Sequence, residues 1–494
     1  MRRSLPQKAS IPSWLTAGVA LAVGVGACSL VVDNSTEQCT SDADCAKFNT
    51  TCDLTTNLCI DPGSGTGGQG GGTGGQGGNT GGGGGTGDPC DDPDKPVITI
   101  EGDITSDASW TCDRDYMLKG RVYVTDGVTL SIQAGTKIMG KFAANEFEAA
   151  VLVVQPGGMI NAVGTADRPI VFTSELEPQF REAGDWGGVI ILGRARVNEP
   201  SPIIEGITAG GEYGGTEDDD DSGILRYARI EYSGTIIGAN NEINGLTFGG
   251  VGSGTQIDHI QVRHTLDDCF EFFGGTVNAH HLVCQHNEDD GIDWDLGYRG
   301  KLQFVVVQQK PNTNEDMHGI EADNSSETAL PVSSPTLYNI TLIGNNQALS
   351  SVQYGMVLKE WTDATIHNTL VMGFDYGWDV RDEGAGITLA NSIFFGQVLD
   401  DIAEDETSAD DDGGFDEVAV FNANDNTTAD PGIPIGDATN PLEFLLGPPA
   451  ALTDNSVPPP DDGFFDPTAN YVGAVEDAND TWVTDGSWVV WDNH

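Results

Sequence analysis

The sequence predicts an all-β chain: a right-handed parallel β-helix behind a small disulfide-rich N-terminal module and a Gly-rich tether. Three observations predict it. From about residue 90 onward, apolar residues alternate with a period of two, the pattern of half-buried strands. Short strand-like runs then recur at a near-constant interval: Val262 and Val283 lie 21 residues apart, Val371 and Ile393 lie 22 apart. That interval marks a stacked solenoid rather than a propeller with blades of about 40 residues. Finally, chemistry repeats at the same step. DDCFEFF (267–273) is followed by DDGIDWD (289–295), and His259 and His264 are matched by His281 and His286.

Taken in order, the chain opens with a basic segment, MRRSLPQK, and an apolar run, IPSWLTAGVALAVGVGAC. The run is too short for a membrane span and has the layout of an export signal. Its ending, VGAC, resembles a bacterial lipobox. Residues 1–27 are therefore expected to be a lipoprotein signal peptide, with Cys28 the lipidated residue. The mature chain is expected to be exported and anchored through its N-terminal lipid at the outer membrane or cell surface. Of nine cysteines, eight remain after Cys28, an even number suited to an oxidising compartment. Cys39, Cys45, Cys52 and Cys59 fall in the module at 28–62, which is too short to build a core without staples. Two disulfides of open connectivity are expected there; a metal knuckle is the alternative, although the usual CxxC pair is missing. Residues 63–88 are a Gly, Thr and Gln tether, which as a flexible coil spans about 28 Å. The β-helix is expected over 89–400, with Cys90 and Cys112 paired across its first coil. Acidic loops and a cap are expected over 401–494, where DTWVTDGSWVVW closes the open end of the solenoid.

Composition narrows the partners. With 76 acids against 22 Lys plus Arg, the net charge is -54, which repels nucleic acid and anionic lipid alike. Cations and neutral ligands remain. EDDDD (217–221) and DETSADDDGGFDE (405–417) read as solvated acidic loops. No serine-elbow, Walker or dinucleotide motif occurs in a supporting context, and a monomer is expected.

In a β-helix, residues one coil apart stack at the inter-strand spacing of about 4.8 Å. One predicted column reads Glu271, Asp293, Glu321, Val357, Asp379, and a second reads Phe273, Asp295, Asp323, Lys359, Arg381. Carboxylates that close repel by up to about 3 kcal/mol per pair at an effective dielectric near 20. They splay into solvent, hold a proton, pair with Lys359 and Arg381, or bind a cation. The expected metal ligands are Asp268, Glu271, Asp290, Asp293 and Asp295, with calcium as the cofactor. A zinc-type site from His264, His286, Asp268 and Asp290 is the transition-metal alternative. For catalysis the candidates are Asp290, Asp293, Asp323, Lys359 and Arg381, which offer a lyase base or a pair of hydrolase carboxylates. Trp294 and Trp378 are the candidate sugar-stacking rings.

A resemblance adds to this reading. VYVTDGVTLSIQAGTKIMG, ADRPIVFTS, GDWGGVIILGRARVN, GILRYARIEYSG, DDCFEFFGGTVNAHHLV and DDGIDWDLGYRGKLQF resemble, in order, the consensus blocks of a family of bacterial outer-membrane and cell-surface β-helix proteins. That family is common in Bacteroidetes and similar to an outer-membrane lipoprotein of leptospires. The likeness covers about residues 97–400. It implies a pectin-lyase-like fold and a surface location, with no established activity. The Cys-rich head resembles secreted lipoproteins of myxobacteria. The chain departs from the family at Cys269, in place of a serine, and at Cys284, in place of an apolar residue; the joint change favours a local disulfide. The expected function is a surface-displayed, lipid-anchored β-helix that binds a glycan or envelope component, with calcium. A polysaccharide lyase or glycoside hydrolase and a purely structural scaffold are the alternatives.

Overall fold

The computed structural model describes residues 51–53, 58–60 and 88–491, apart from 208, 239–240, 311–316, 348–350, 383–385, 402–412 and 435–446. The chain divides into two units, Met1–Gly84 and Gly85–His494. In the first, strands Thr51–Asp53 and Leu58–Ile60 pair antiparallel, with Cys52 opposite Cys59 along the backbone. Cys28, Cys39, Cys45 and the stretch 63–87 lie outside the described residues.

The second unit is a parallel β-helix. Its long-strand sheet runs through Gly223–Glu231, Gln256–Arg263, Asn278–Gln285, Lys301–Gln308, Thr336–Ile343 and Ala364–Met372. The short-strand sheet runs from Arg121–Val124 through Leu246–Gly249, Phe270–Phe273, Ile292–Asp295, Ile320–Ala322 and Met356–Leu358 to Asp379–Val380. Pairing within both is parallel and in register, so each inward position repeats as a column. Ile230, Val262, Cys284, Val307, Leu342 and Val371 form one such column, and none is exposed. Leu246, Phe270, Ile292, Ile320 and Met356 face them from the other sheet.

The disulfide Cys269–Cys284 has a packing origin in this repeat. Cys269 stands where neighbouring coils have Gly245, Gly291, Gly319 and Gly355. A Cβ on Gly291 would lie 2.4 Å from Val307, and one on Gly355 would lie 2.3 Å from Val371. The coil that carries a side chain at the glycine position thus replaces the facing valine by Cys284, and the two sulfurs fill the valine's space. The second bond, Cys90–Cys112, ties the first coil.

Each long strand bends at a residue with positive φ. The bend residues Tyr227, His259, His281, Phe304, Asn339, Asn368 and Asn391 have φ between 48° and 60°. Asn and His tolerate the left-handed region better than most residues. Outside the bend their rings stack, with centroids 4.2 Å apart for Tyr227–His259, 4.1 Å for His259–His281 and 4.9 Å for His281–Phe304. His264 and His286 occupy a second bend column, at φ 50° and 60°. The histidine repeat is therefore a repeat of corners.

The C-terminal segment corrects the expected cap. Instead of closing the end, residues 455–490 run back along the side of the helix as a strap. Asn391 donates to Asn455 O (2.9 Å), Asn368 bonds Val457 in both directions (2.8 and 3.0 Å), and Asn339 donates to Tyr471 O (2.7 Å). Further down, Gln261 and Val490 bond each other twice at 2.9 Å. Trp488 covers the outward-facing Val283 and Val306, an apolar patch that gives the tryptophans more to bury than an end would. The end is closed by the helix Glu417–Ala423: Phe421 packs on Phe394 (5.1 Å), and Glu417 Oε1 accepts the Val380 N–H (3.1 Å) of the last short strand. Part of the predicted solvated acid is thus structural. So is Asp218 in EDDDD, which pairs with Arg196 and Arg299.

Candidate functional site

The turns that lead from the long-strand sheet into the short one place Asn244, Asp268, Asp290, His318 and Tyr354 in one column. Asp268 N–H donates to Asn244 Oδ1 (3.3 Å), Asp290 N–H to Asp268 Oδ1 (2.8 Å), His318 N–H to Asp290 Oδ1 (2.6 Å) and Tyr354 N–H to His318 Nδ1 (3.2 Å). Each side chain satisfies the buried amide of the next coil. One oxygen of Asp268 and one of Asp290 is therefore committed to holding the corner, which gives the repeated acids a structural task beside any chemical one.

Three residues on, the outward row of the short-strand sheet runs Thr247, Glu271, Asp293, Glu321, Val357, Asp379. This is the column the sequence predicted. The second column also follows the predicted register, through the bonds Asp323 N–H to Trp294 O, Lys359 N–H to Ala322 O and Arg381 N–H to Leu358 O, at 2.7–2.8 Å. The row and the corner converge. Donor oxygens of Asp268, Glu271 and Asp293 lie within 4.8 Å of one another, as do those of Asp290, Asp293 and Glu321, and those of Asp267, Asp268 and Asp289. Asp293 belongs to two of these clusters, and its Oδ1 is enclosed without a hydrogen-bond partner.

Burial and mutual repulsion disfavour the charged form of most of these groups. Burial, then the neighbouring acids, raises Asp267, Asp268, Glu271, Asp290 and Asp293 well above the usual carboxylate range. Asp323 is pushed up to about 8 by burial, against the pull of Lys359, and Asp295 to about 6. Glu321 goes the other way. Burial opposes its charge, but the hydrogen bond from Asp290 and the Lys359 ammonium bring it down to about 2. Asp290 thus carries the proton of that pair, and Lys359 is ion-paired with Glu321 and, at 3.5 Å, with Asp323. A second carboxyl pair forms between Glu271 and Glu205, and Asn244 Nδ2 donates to both.

Several expected roles change. Trp294 and Trp378 are fully buried inside the solenoid; inward positions alternate with the acidic row, so neither ring face meets solvent, and core packing replaces sugar stacking. Asp295 lies outside the three clusters and accepts the Leu296 N–H. The clusters that contain Asp268 and Asp290 include neither His264 nor His286; His264 stacks on Tyr232 (5.2 Å). Arg381 is held by Asp379 at 2.8 Å. Glu205, Asn244 and Tyr213 were not singled out from the sequence. Glu205 and Tyr213 arrive on the insertion between Leu192 and Gly223, where no periodic signal operates. Tyr213 is buried, and its phenol is raised by burial and then by Glu271, Asp295 and Glu205. Beside it a cleft of about 530 Å³ opens between residues 197–202 and 212–215.

The arrangement therefore offers a set of carboxyl oxygens, with Tyr213 connecting the neighbourhood of Glu271 to a cleft that the clustered acids do not themselves line. Residues 102–438 match the family model described as a pectate-lyase like beta helix domain. No curated protein and no solved structure matches the chain.

Proposed function

The chain belongs to the family of pectate-lyase-like β-helix domains, which fits a carbohydrate-related or structural role, and from that premise we propose that it is a lipid-anchored surface protein whose acidic row binds a carbohydrate with the help of calcium. The observation that carries the reading is Asp293. It stands between two carboxyl clusters with an enclosed oxygen that has no partner. The donor set fits a hard cation: carboxyl oxygens converge, and among the described residues no histidine nitrogen or cysteine sulfur joins them, as a zinc site would require. Asp268, Glu271, Asp290, Asp293 and Glu321 would hold the ion, which supplies positive charge able to bind hydroxyl or carboxylate oxygens of a glycan. The residues themselves supply the shape. Asp268 and Asp290 are fixed by the corner ladder, Lys359 keeps Glu321 ionised, and the Tyr213 cleft gives a sugar chain a wall. Export and anchoring rest on the N-terminal run and Cys28.

Titration of the full chain with calcium, followed by thermal unfolding and by glycan binding with and without the ion, tests this. Saturable stabilisation by calcium that Asp293→Asn removes supports the reading; absence of any calcium effect on stability and on glycan binding rejects it. A second reading, hydrolysis or lyase cleavage of a polysaccharide, is favoured by one observation, the close carboxyl pair of Asp290 and Glu321, of which the first is raised and the second lowered. Release of new reducing ends or unsaturated uronates from a polysaccharide panel would select it over binding alone.

A further inference from the structure

On the strap side of the helix, away from the acidic row, a cavity of about 370 Å³ lies between the bend column and the C-terminal segment. Phe304, Tyr471 and Trp482 supply its walls, with Phe465 beside them. The indole of Trp482 is fixed by its Nε1–H bond to Ala474 O (2.9 Å). His281 closes the inner side, its Nδ1 held by Asp258 at 2.8 Å. His280 lies flat on Phe464, with centroids 4.0 Å apart and planes 4° from parallel, and burial keeps it neutral.

Asp466 and Asp480 are the charged groups at the wall; the Tyr471 phenol and the His280 and His281 rings are its other polar groups, and no amide, guanidinium or ammonium side chain is among the described lining residues. Both carboxylates are positioned by backbone. Asp466 Oδ1 accepts Thr468 N–H (2.8 Å), and Asp480 Oδ2 accepts Glu476 N–H (3.1 Å). The strap already uses the matching chemistry once, since Lys301 Nζ sits 5.7 Å from the Phe465 ring centroid while paired with Asp462. A neutral sugar could use the Tyr471 and histidine donors but gains nothing from the net charge of two carboxylates. An organic cation uses both the π faces and the anions that the lining presents.

We infer that this cavity binds an organic cation with a methylated ammonium head, seated against Phe304, Phe465 and Trp482 and neutralised by Asp466 and Asp480. The volume is at the lower end of ordinary small-molecule sites, about 300–1,000 Å³, and suits a head group with a short tail.

The test is calorimetric titration of the full chain with choline chloride, with 3,3-dimethylbutanol as the uncharged analogue of the same shape. Saturable choline binding, at least about tenfold tighter than the neutral analogue, is expected. Asp480→Asn and Asp466→Asn should each weaken choline by about threefold to tenfold, and both retain an oxygen for the backbone bond that holds the carboxylate. Glycerophosphocholine distinguishes the source: tighter binding than choline assigns the head to a lipid, weaker binding to a free cation. Equal affinity for choline and its neutral analogue overturns the inference, as does saturable binding of methyl glucoside with none of choline. No binding of either ammonium compound overturns it as well.

Discussion

Asp293→Asn in the metal-free protein is expected to stabilise the fold, because the buried row disfavours the carboxylate that the unfolded chain carries at neutral pH, whereas the amide is neutral in both states. Asp293 has carboxyl oxygens of Asp268 and Glu271 on one side and of Asp290 and Glu321 on the other, within 4.8 Å. Glu321 is the ionised member, held there by Lys359. At an effective dielectric near 20, one ionised neighbour at that range costs about 3 kcal/mol. Asp293 as a whole residue is half-buried although its Oδ1 is enclosed, and solvent screening brings the relief to about 1–2 kcal/mol. With an unfolding entropy of about 2 cal/mol/K per residue, the midpoint of a domain this long rises by about 1–2 °C. Calcium reverses the order. At a free concentration of about 100 Kd it adds about 2.7 kcal/mol to the wild type, or about 3 °C, and little to the variant. Scanning calorimetry of both chains, chelated and then in calcium, reads the crossing. A variant less stable than wild type when chelated, or equal calcium shifts in the two, would refute the assignment of Asp293 to a cation.

Stability of the metal-free chain should fall as pH rises from about 4 to about 8. Asp323 (about 8) and Asp295 (about 6) keep protons that the unfolded chain releases near 3.8, so their contribution is complete below that value and lost through the folded one. Denaturant midpoints across that window measure it, and calcium should flatten the slope. Asp268→Ala leaves the buried Asp290 N–H without its acceptor and should cost about 1–3 kcal/mol, whereas Asp268→Asn keeps the bond as Asn244 does one coil earlier and should cost under about 0.5 kcal/mol; urea unfolding separates them. Lys359→Met should move the Glu321 carboxyl upward from about 2, visible in carbon-detected NMR titration, and destabilise by about 1–3 kcal/mol. Asn368→Ala breaks both bonds to Val457 and should loosen the strap by about 1–2 kcal/mol, read as faster limited proteolysis within 447–491 while the solenoid remains intact.

The period of about 22 residues was enough to place Glu271 over Asp293, and the repeated Gly-Ile-acid pattern at 291–293 and 319–321 carried the column on to Glu321, because an in-register parallel stack puts like over like whatever the loops do. The same logic carried the column past longer connections to Val357 and Asp379. The histidines were harder to read. Their spacing was visible, but their cause is a left-handed backbone at each bend, and a spacing carries no φ. The two tryptophans failed for a related reason. Alternation fixes that Trp294 and the acids at 293 and 295 face opposite ways, yet it does not say which way is inward.

By itself the sequence determined the repeat, the register and the acidic columns, since these follow from periodicity and strand geometry. The family resemblance marked Cys269 and Cys284 as a joint departure, which the facing glycine and valine positions explain. Only the tertiary structure decided what covers the helix and what enters the site from elsewhere: the strap along the bend column, the helix over the last coil, and Glu205 against Glu271. Those contacts join residues far apart in the chain through side-chain amides and single carboxyl groups, which leave no periodic trace. Whether a carboxyl in the row is charged was decided there too, because burial and the few ångströms to Lys359 or Asp290 set its proton, and neither quantity is local to the sequence.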